Sequence, residues 1–281
     1  MTKELTGQVA LVTGGGRGFG KVIALKFASE GAAVAVTART QGELDQTVGE
    51  IQAAGSRGLA VCGDVTKPED VAGVVRTTKE HFGPVTLLVN NAGIPGPFAP
   101  MWAADPEEWW FAQEVHLRAL FLFVHEVLPS MMERRAGRII VVSAMGSHRV
   151  DFAMSAYCVG KCSQNRLVQL LAAEVKEFGV SAFAIDPGFV ATEMAEITMR
   201  DAGAQRWKAD MIERLKERKA DPNSVLDFER CAKRCMDLAS GRYDELSGSY
   251  SELRDNLDEM LAEVRAGRSD GNIFIHKPLE I

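Results

Sequence analysis

The sequence predicts an α/β fold in which an open, doubly wound parallel sheet is covered by helices on both faces, three layers α/β/α, with a helical extension toward the C-terminus. Three observations carry this. Short, continuously apolar, β-rich runs recur along the chain, as strands buried on both faces require. Segments of helical period separate them, so successive strands are joined by right-handed crossovers. The first run, "QVALVT" (8–13), ends in five glycines within seven positions, "GGGRGFG" (14–20), before a helix. In open parallel sheets the ligand sits beyond the carboxyl ends of the strands, and this turn lies at such an end.

In chain order, "QVALVT" and "AAVAVTA" (32–38) are the first two strands, with a helical period between them. The alternation returns with "GLAVCGDV", "VTLLVNNAG", "GRIIVVSA" and "VSAFAIDPG", each followed by a longer helical segment. "ADPEEWW" starts a helix: Asp105 is its cap, Pro106 its first residue, and Glu107 and Glu108 face the positive end of its dipole. That helix is predicted to run to about Arg134. Residues 195–225 are charged and hold too few apolar side chains to form a core of their own, so they read as an inserted helical flap. In the extension, residues 252–281, Leu253, Leu257, Leu261 and Val264 share one helical face, followed by a short strand-like piece. It is expected to dock on the domain or on a neighbouring subunit. With 281 residues, 46% of them apolar, one domain over 1–281 is expected.

A net charge of −6 leaves no basic stripe for nucleic acid. The apolar runs are too short to span a bilayer and "MTKELTGQ" lacks the apolar core of a secretory signal, so no membrane partner and a cytoplasmic location are expected. Five cysteines, with Cys158/Cys162 and Cys231/Cys235 spaced four apart, read as reduced, partly buried thiols. His81, His125, His148 and His276 have no metal-ligand spacing, and no metal is expected.

Glycines let a turn take positive φ and let a phosphate approach the backbone, while the next helix offers unpaired N–H groups. The spacing Thr13-Gly14-x-x-x-Gly18-x-Gly20 departs from GxGxxG, because Phe19 holds the last glycine position of that frame, and taken alone it also fits a plain tight turn. Together "TGGGRGFG", "GDV" (63–65), "NNAG" (90–93), "YCVGK" (157–161) and "DPGFVATEM" (186–194) give the order and approximate spacing of one family. Over residues 5–250 the chain resembles the short-chain dehydrogenases/reductases. The resemblance implies a seven-stranded Rossmann sheet, a nicotinamide dinucleotide, and a homodimer or homotetramer. It also implies that Gly14, Gly16, Arg17, Gly18, Phe19 and Gly20 form the coenzyme turn and that Asp64 and Val65 flank the adenine. Asn91, Ala92 and Gly93 would line the coenzyme, with Pro187, Gly188, Val190 and Thr192 on the nicotinamide side.

An NAD-selective site needs a carboxylate at the end of the second strand. Here the position holds Ala38, Arg39 follows, and Arg17 sits in the glycine turn, so two guanidiniums are expected to converge on a 2′-phosphate, favouring NADP over NAD. The competing reading of both arginines is a solvated surface side chain.

Tyr157 and Lys161 lie four apart, on one face of a helix. A neighbouring ammonium favours phenolate, so Lys161 is expected to lower the Tyr157 pKa and let it exchange a proton with an alcohol or ketone as hydride moves. By resemblance, Lys161 would also hold the nicotinamide ribose. The family's serine lies thirteen residues before the tyrosine, where this chain has Ala144. Ser143 is expected to serve instead, either through a bulge or, with Gly146 of "SAMG" aligned to the family, through a loop to Tyr157 one residue longer; Ser147 lies nearby. His116 stands where the family has an asparagine whose backbone carbonyl helps hold a water near the lysine; it reads as a tolerated structural residue or a proton relay.

The expected function is NADP-linked oxidoreduction of a secondary alcohol or carbonyl in a small, partly apolar substrate. Trp102, Phe152, Met154, Phe189 and Met194 are candidates for the pocket, with core packing as the competing role. Lyase or epimerase chemistry on the same scaffold, and a coenzyme-binding sensor without turnover, are the alternatives.

Overall fold

The computed structural model describes residues 3–268. Strands β1 (Val9–Thr13), β2 (Ala33–Ala38), β3 (Gly58–Cys62), β4 (Leu87–Asn90), β5 (Gly137–Val142), β6 (Val180–Ile185) and β7 (Tyr250–Ser251) form one seven-stranded sheet in the order β3-β2-β1-β4-β5-β6-β7. Every strand pair is parallel. The chain winds outward from β1 in both directions, so the strand order reverses between β1 and β4, the crevice where such sheets bind ligands.

Alternation along each strand divides the core in two. Ala10 and Val12 of β1 face one layer with Ile23 and Phe27 of α1 (Gly18–Ser29), Leu44 of α2 (Gln41–Ala53) and Leu238 of α10 (Leu226–Ala239). Leu11 faces the other with Val71 of α3 (Pro68–Phe82), Phe123 of α5 (Ala119–Glu133) and Val168 of α6 (Ser155–Val175). Each side chain at the sheet centre is therefore covered from both directions, which is why the strands read as unbroken apolar runs.

The segment after Asp105 is one long helix, as expected, with an irregularity that the sequence does not announce. Asp105 Oδ1 accepts the N–H groups of Glu107 and Glu108, both at 2.9 Å. α4 (Pro106–Gln113) then passes through a five-residue π-helical turn, Glu114–Arg118, into α5. Against the sequence-based expectation, this helix, Pro106–Glu133, is long and apolar enough to cross a bilayer. Leu120, Phe123, Val127 and Met131 instead pack in the core of the sheet's second face.

The flap comprises α7 (Glu193–Arg200), α8 (Ala202–Trp207) and α9 (Ala209–Ala220). It shares a small core with the rest of the chain, Ala204 and Ile212 packing with Phe98 and Met154. α11 (Leu257–Arg265) docks on the chain itself: Leu257, Met260 and Leu261 join the layer that holds α1 and α10. The strand-like piece that follows, with His276, lies outside the described residues. All five cysteines are free thiols, and Cys231 and Cys235 are buried in the α10 core.

Gly20 lies in the first turn of α1, where a Cβ would lie 2.2 Å from the Gly14 carbonyl oxygen. Gly20→Ala is expected to lower unfolding stability by about 2 kcal/mol, as overpacking against backbone does, and urea denaturation measures the loss.

Candidate active site

The crevice is built on a junction between β1 and β4. Thr13 Oγ1 accepts the backbone N–H groups of Asn91 and Ala92, both at 3.0 Å, and Asn91 Nδ2 donates to the carbonyls of Thr13 (3.0 Å) and Gly14 (3.2 Å). Gly14 and Gly18 adopt φ of +63° and +54°, which only glycine takes readily. α1 starts without a side-chain cap and without an acid in its first turn, so its N-terminal N–H groups remain available to an anion.

A cavity of about 450 Å³ lies over this edge. Gly14, Gly16, Arg17, Gly18 and Phe19 form one wall, Asp64 and Val65 another, and Asn91, Ala92, Gly93 and Thr192 close it. The Phe19 ring meets Phe228 at 4.9 Å. Gly20, Pro187, Gly188 and Val190 are not on these walls. Gly20 supports the turn from beneath, Val190 is buried, and Gly188 (φ +83°) turns the chain toward Asp227, which accepts the Phe189 N–H at 3.1 Å.

At the end of β2, Ala38 and Arg39 line the cavity. Arg39 is exposed and forms no ion pair within 4.0 Å among the described residues. Burial works to raise the Asp64 carboxyl, but hydrogen bonds from Thr66 and the charges of Arg39 and Lys67 hold it below its ordinary value. Arg17 points elsewhere than expected. Its guanidinium bridges Glu43 on α2 (3.0 Å) and Glu193 at the start of α7 (2.6 Å), both cavity residues that the motifs do not mark.

Tyr157 and Lys161, on one face of α6, are likewise not on the cavity walls, although Lys161 Nζ lies 3.6 Å from where a Cβ on Gly93 would be. Lys161 Nζ is 5.7 Å from the Tyr157 ring centroid and donates to the Val142 carbonyl at 2.8 Å. The expectation that Lys161 acidifies Tyr157 is not met. Burial raises the phenol well above its ordinary value, Asp186 and Cys158 adding to this, although the residue as a whole is only partly buried. Burial also pushes the Lys161 ammonium down to about 7 against the pull of Asp186, so the charge needed to stabilise phenolate is itself weakened.

The bulge expected at Ser143 is absent. Its N–H donates to Ile185 O at 2.8 Å in regular sheet fashion and Ala144 continues extended (φ −168°, ψ 158°), so the two side chains face opposite ways. The Ser143 hydroxyl is buried against the Lys161 carbonyl, 3.4 Å away. Ser147 is likewise engaged, accepting from Asn165 Nδ2 at 2.8 Å.

His116 lies in the π-helical turn, fully buried, with its ring edge-on to Tyr157 at 5.6 Å between centroids. Burial and the Lys161 charge push its imidazole down to about 3, with the Ile94 hydrogen bond opposing, so it is neutral at physiological pH and does not titrate near neutrality. Its backbone carbonyl, the group expected to hold a water, accepts Gln164 Nε2 at 2.8 Å on one of its two lone pairs.

On the flap side, Met194 lines the cavity and Met154 is buried beside Tyr157 and Cys158. Trp102, Phe152 and Phe189 are exposed, and the Trp102 and Phe152 rings are 6.3 Å apart. Lys208, buried in the flap, pairs with Asp151 on the loop leading into α6. No cluster of three metal-ligating side chains occurs among the described residues.

The family model described as short chain dehydrogenase matches residues 8–202. A short chain dehydrogenase of Pseudocercospora fijiensis is 33% identical over 267 residues, 93% of this chain and 84% of that protein. The crystal structure of levodione reductase superposes with a TM-score of 0.79 at 25% identity, covering 88% of this chain and 96% of that one. A metagenomic short-chain oxidoreductase solved in complex with NADP is 34% identical, with a TM-score of 0.63 over 66% of this chain and 85% of its own. With the reversal of strand order, the glycine turn and the Tyr157–Lys161 pair all on one edge of the sheet, these matches establish that the chain belongs to the short-chain dehydrogenase/reductase family of NAD(P)-dependent oxidoreductases.

Proposed function

We propose that the protein uses NADP(H) to interconvert a secondary alcohol and a ketone in a small, partly apolar substrate, with Tyr157 as general acid/base. The observation that carries this reading is the Tyr157–Lys161 pair on one face of α6, with Lys161 Nζ placed 3.6 Å from where a Cβ on the cavity residue Gly93 would lie. The residues fit a dinucleotide: the turn at Gly14–Gly18 presents bare backbone, and the uncapped start of α1 suits a pyrophosphate. When bound, the nicotinamide supplies the hydride donor or acceptor. Tyr157, a neutral phenol at physiological pH, gives its proton to a carbonyl oxygen as negative charge develops there; in the reverse direction it first loses that proton to solvent and, as phenolate, takes one from the substrate hydroxyl. Lys161 holds the ribose and, once charged, offsets the phenolate. Gly14, Gly16, Gly18, Phe19, Asp64, Val65, Asn91, Ala92, Gly93 and Thr192 are assigned to the coenzyme by their place on the cavity wall. Pro187, Gly188 and Val190 retain only the family resemblance in their favour, as does Ser143 as a catalytic group, its hydroxyl being buried against the Lys161 carbonyl.

Arg39 supports NADP: it is the cavity cation without a carboxylate partner within 4.0 Å, and Ala38 presents no charge to repel a 2′-phosphate. Arg17 can join it only by leaving Glu43 and Glu193. Solved neighbours hold NADP, NADH or NAD+, so the preference rests on Arg39 and Ala38. Exposed Trp110 and Phe121 on the α4–α5 helix favour a homodimer or homotetramer, and a cytoplasmic location is part of the same reading.

Tyr157→Phe is expected to cut NADPH-dependent ketone reduction by at least about 100-fold while leaving NADPH binding intact; absorbance of the reduced nicotinamide measures the first and fluorescence titration the second. Coenzyme binding with no turnover across a broad carbonyl panel would favour the sensor reading instead. Ala38→Asp is expected to raise the KM for NADP about tenfold or more and improve that for NAD, by charge repulsion and ribose binding respectively. Between about pH 7 and 10.5 the unfolded chain holds a proton that folded Lys161 has shed, so the coenzyme-free protein gains stability as pH rises through that window. Lys161→Met should flatten this rise in urea melts at several pH values.

A further inference from the structure

We propose that Asp227 and Arg218 are positioning residues of the coenzyme cavity: their ion pair clamps the backbone of Phe189 and so holds the loop that places Thr192 on the cavity wall. The proposal rests on the coenzyme reading above. Residues 186–192 carry the chain from the end of β6 to the start of α7. Thr192 closes that loop and lines the cavity, its methyl 3.8 Å from where a Cβ on Gly18 would lie, and Glu193 and Met194 follow it on the same wall.

A loop in this position must find partners for its backbone polar groups. Phe189 finds both of its own in one ion pair. Its N–H donates to Asp227 Oδ2 at 3.1 Å, its carbonyl accepts Arg218 Nε at 2.6 Å, and Arg218 Nη2 donates to the same Asp227 oxygen at 2.8 Å, which closes a ring. Among the described residues neither backbone group of Phe189 has another partner. The Phe189 ring is exposed, so this residue is held by its backbone. Thr192 N–H donates to the carbonyl of Val190 at 2.8 Å, which links Thr192 to the residue next to the clamp.

Arg218 lies in the last turn of α9 and Asp227 in the first turn of α10, so the clamp forms where the flap returns to the domain. Both members are braced. Arg218 Nη1 donates to Asp221 at 3.0 Å, and Arg230 Nη1 donates to Asp227 Oδ1 at 3.2 Å. The Asp227 side chain is 12% exposed and that of Arg218 25%, so solvent screens this pair less than the half-exposed pairs of the flap. Gly188 (φ +83°) admits the close approach, because a Cβ there would lie 2.8 Å from the Asp227 carboxyl. Opening the clamp loosens the wall without touching the Tyr157–Lys161 pair. It therefore weakens coenzyme binding in ground state and transition state alike, and raises the coenzyme KM more than it lowers kcat. Arg39 and Ala38, on which coenzyme choice rests, belong to another segment, so NADP(H) and NAD(H) weaken in step.

Asp227→Ala and Arg218→Met, singly and together, test this by fluorescence titration with NADPH and NADH and by steady-state kinetics. Each single variant is expected to raise Kd and KM for both coenzymes about fivefold or more, with their ratio unchanged and kcat at saturating coenzyme within about threefold of wild type. The double variant should be little worse than the worse single one, because either change opens the same ring. Asp227→Asn, which keeps an acceptor for the Phe189 N–H, should recover most of the loss. In Asp227→Ala the Phe189 amide hydrogen should exchange about tenfold faster while β1 and β4 keep their wild-type rates, as NMR measures. Unchanged coenzyme affinity in the folded variants, a fall in kcat with Kd unaltered, or Asp227→Asn as impaired as Asp227→Ala overturns the proposal. If Asp227→Ala fails to fold, Arg218→Met decides. A wild type that binds coenzyme but reduces no carbonyl defeats the proposed function, and the titrations still test the clamp; a wild type that binds neither coenzyme overturns both.

Discussion

The site depends on the tie between Thr13 and Asn91. Where β1 and β4 diverge, the two strand ends must stay close while the backbone beyond them turns away in opposite directions. One threonine hydroxyl and one asparagine amide make four hydrogen bonds across that gap. They satisfy backbone groups that the ladder has just released, and unpaired polar groups at this depth would be costly. The glycine turn follows from this tie. Asn91 Nδ2 would lie 2.8 Å from a Cβ at position 14 and 2.5 Å from one at position 20, so the same contact that closes the crevice excludes side chains from both.

On the other side of Gly93 the chain concentrates polar groups in a space that is nearly dry. Tyr157, Lys161 and His116 each lose water there, and burial dominates all three protonation states: the phenol is held neutral, the amine is pushed toward neutrality, and the imidazole is kept uncharged. Asp186 works on both members of the pair, raising the phenol and supporting the ammonium. Its carboxyl is itself raised by burial, and it accepts the Met145 N–H at 3.0 Å, which anchors the loop after Ala144. The active centre is therefore an environment in which a small added charge or hydrogen bond shifts proton affinity strongly.

The flap is fastened at both ends of this arrangement. Arg17–Glu193 joins it to the glycine turn, and Lys208–Asp151 joins it to the loop that precedes Tyr157. The two differ in character. Arg17 and Glu193 are about half exposed, so their pairing is screened and worth little, whereas Lys208 is buried and loses a costly charge balance if Asp151 is removed. The coenzyme end of the flap is thus the more easily released.

Local pattern was enough for the sheet, its two helical layers, the Asp105 cap and the edge on which the glycine turn, "NNAG" and the Tyr157–Lys161 pair meet. Period, glycine spacing and an i, i+4 pair are properties of a few consecutive residues, and they survive in the sequence. Strand order, the π-helical turn at His116 and the burial of the Ser143 hydroxyl against the Lys161 carbonyl were decided by tertiary packing, because each depends on which distant backbone lies opposite. The same holds for charge. Arg17 was expected on a phosphate and sits on Glu43 and Glu193, while Lys161 was expected to acidify Tyr157 and is instead pushed toward neutrality by burial. Proton affinity and ion pairing depend on solvent exclusion and on neighbours brought in from other segments, and neither is written in a residue's own stretch of chain.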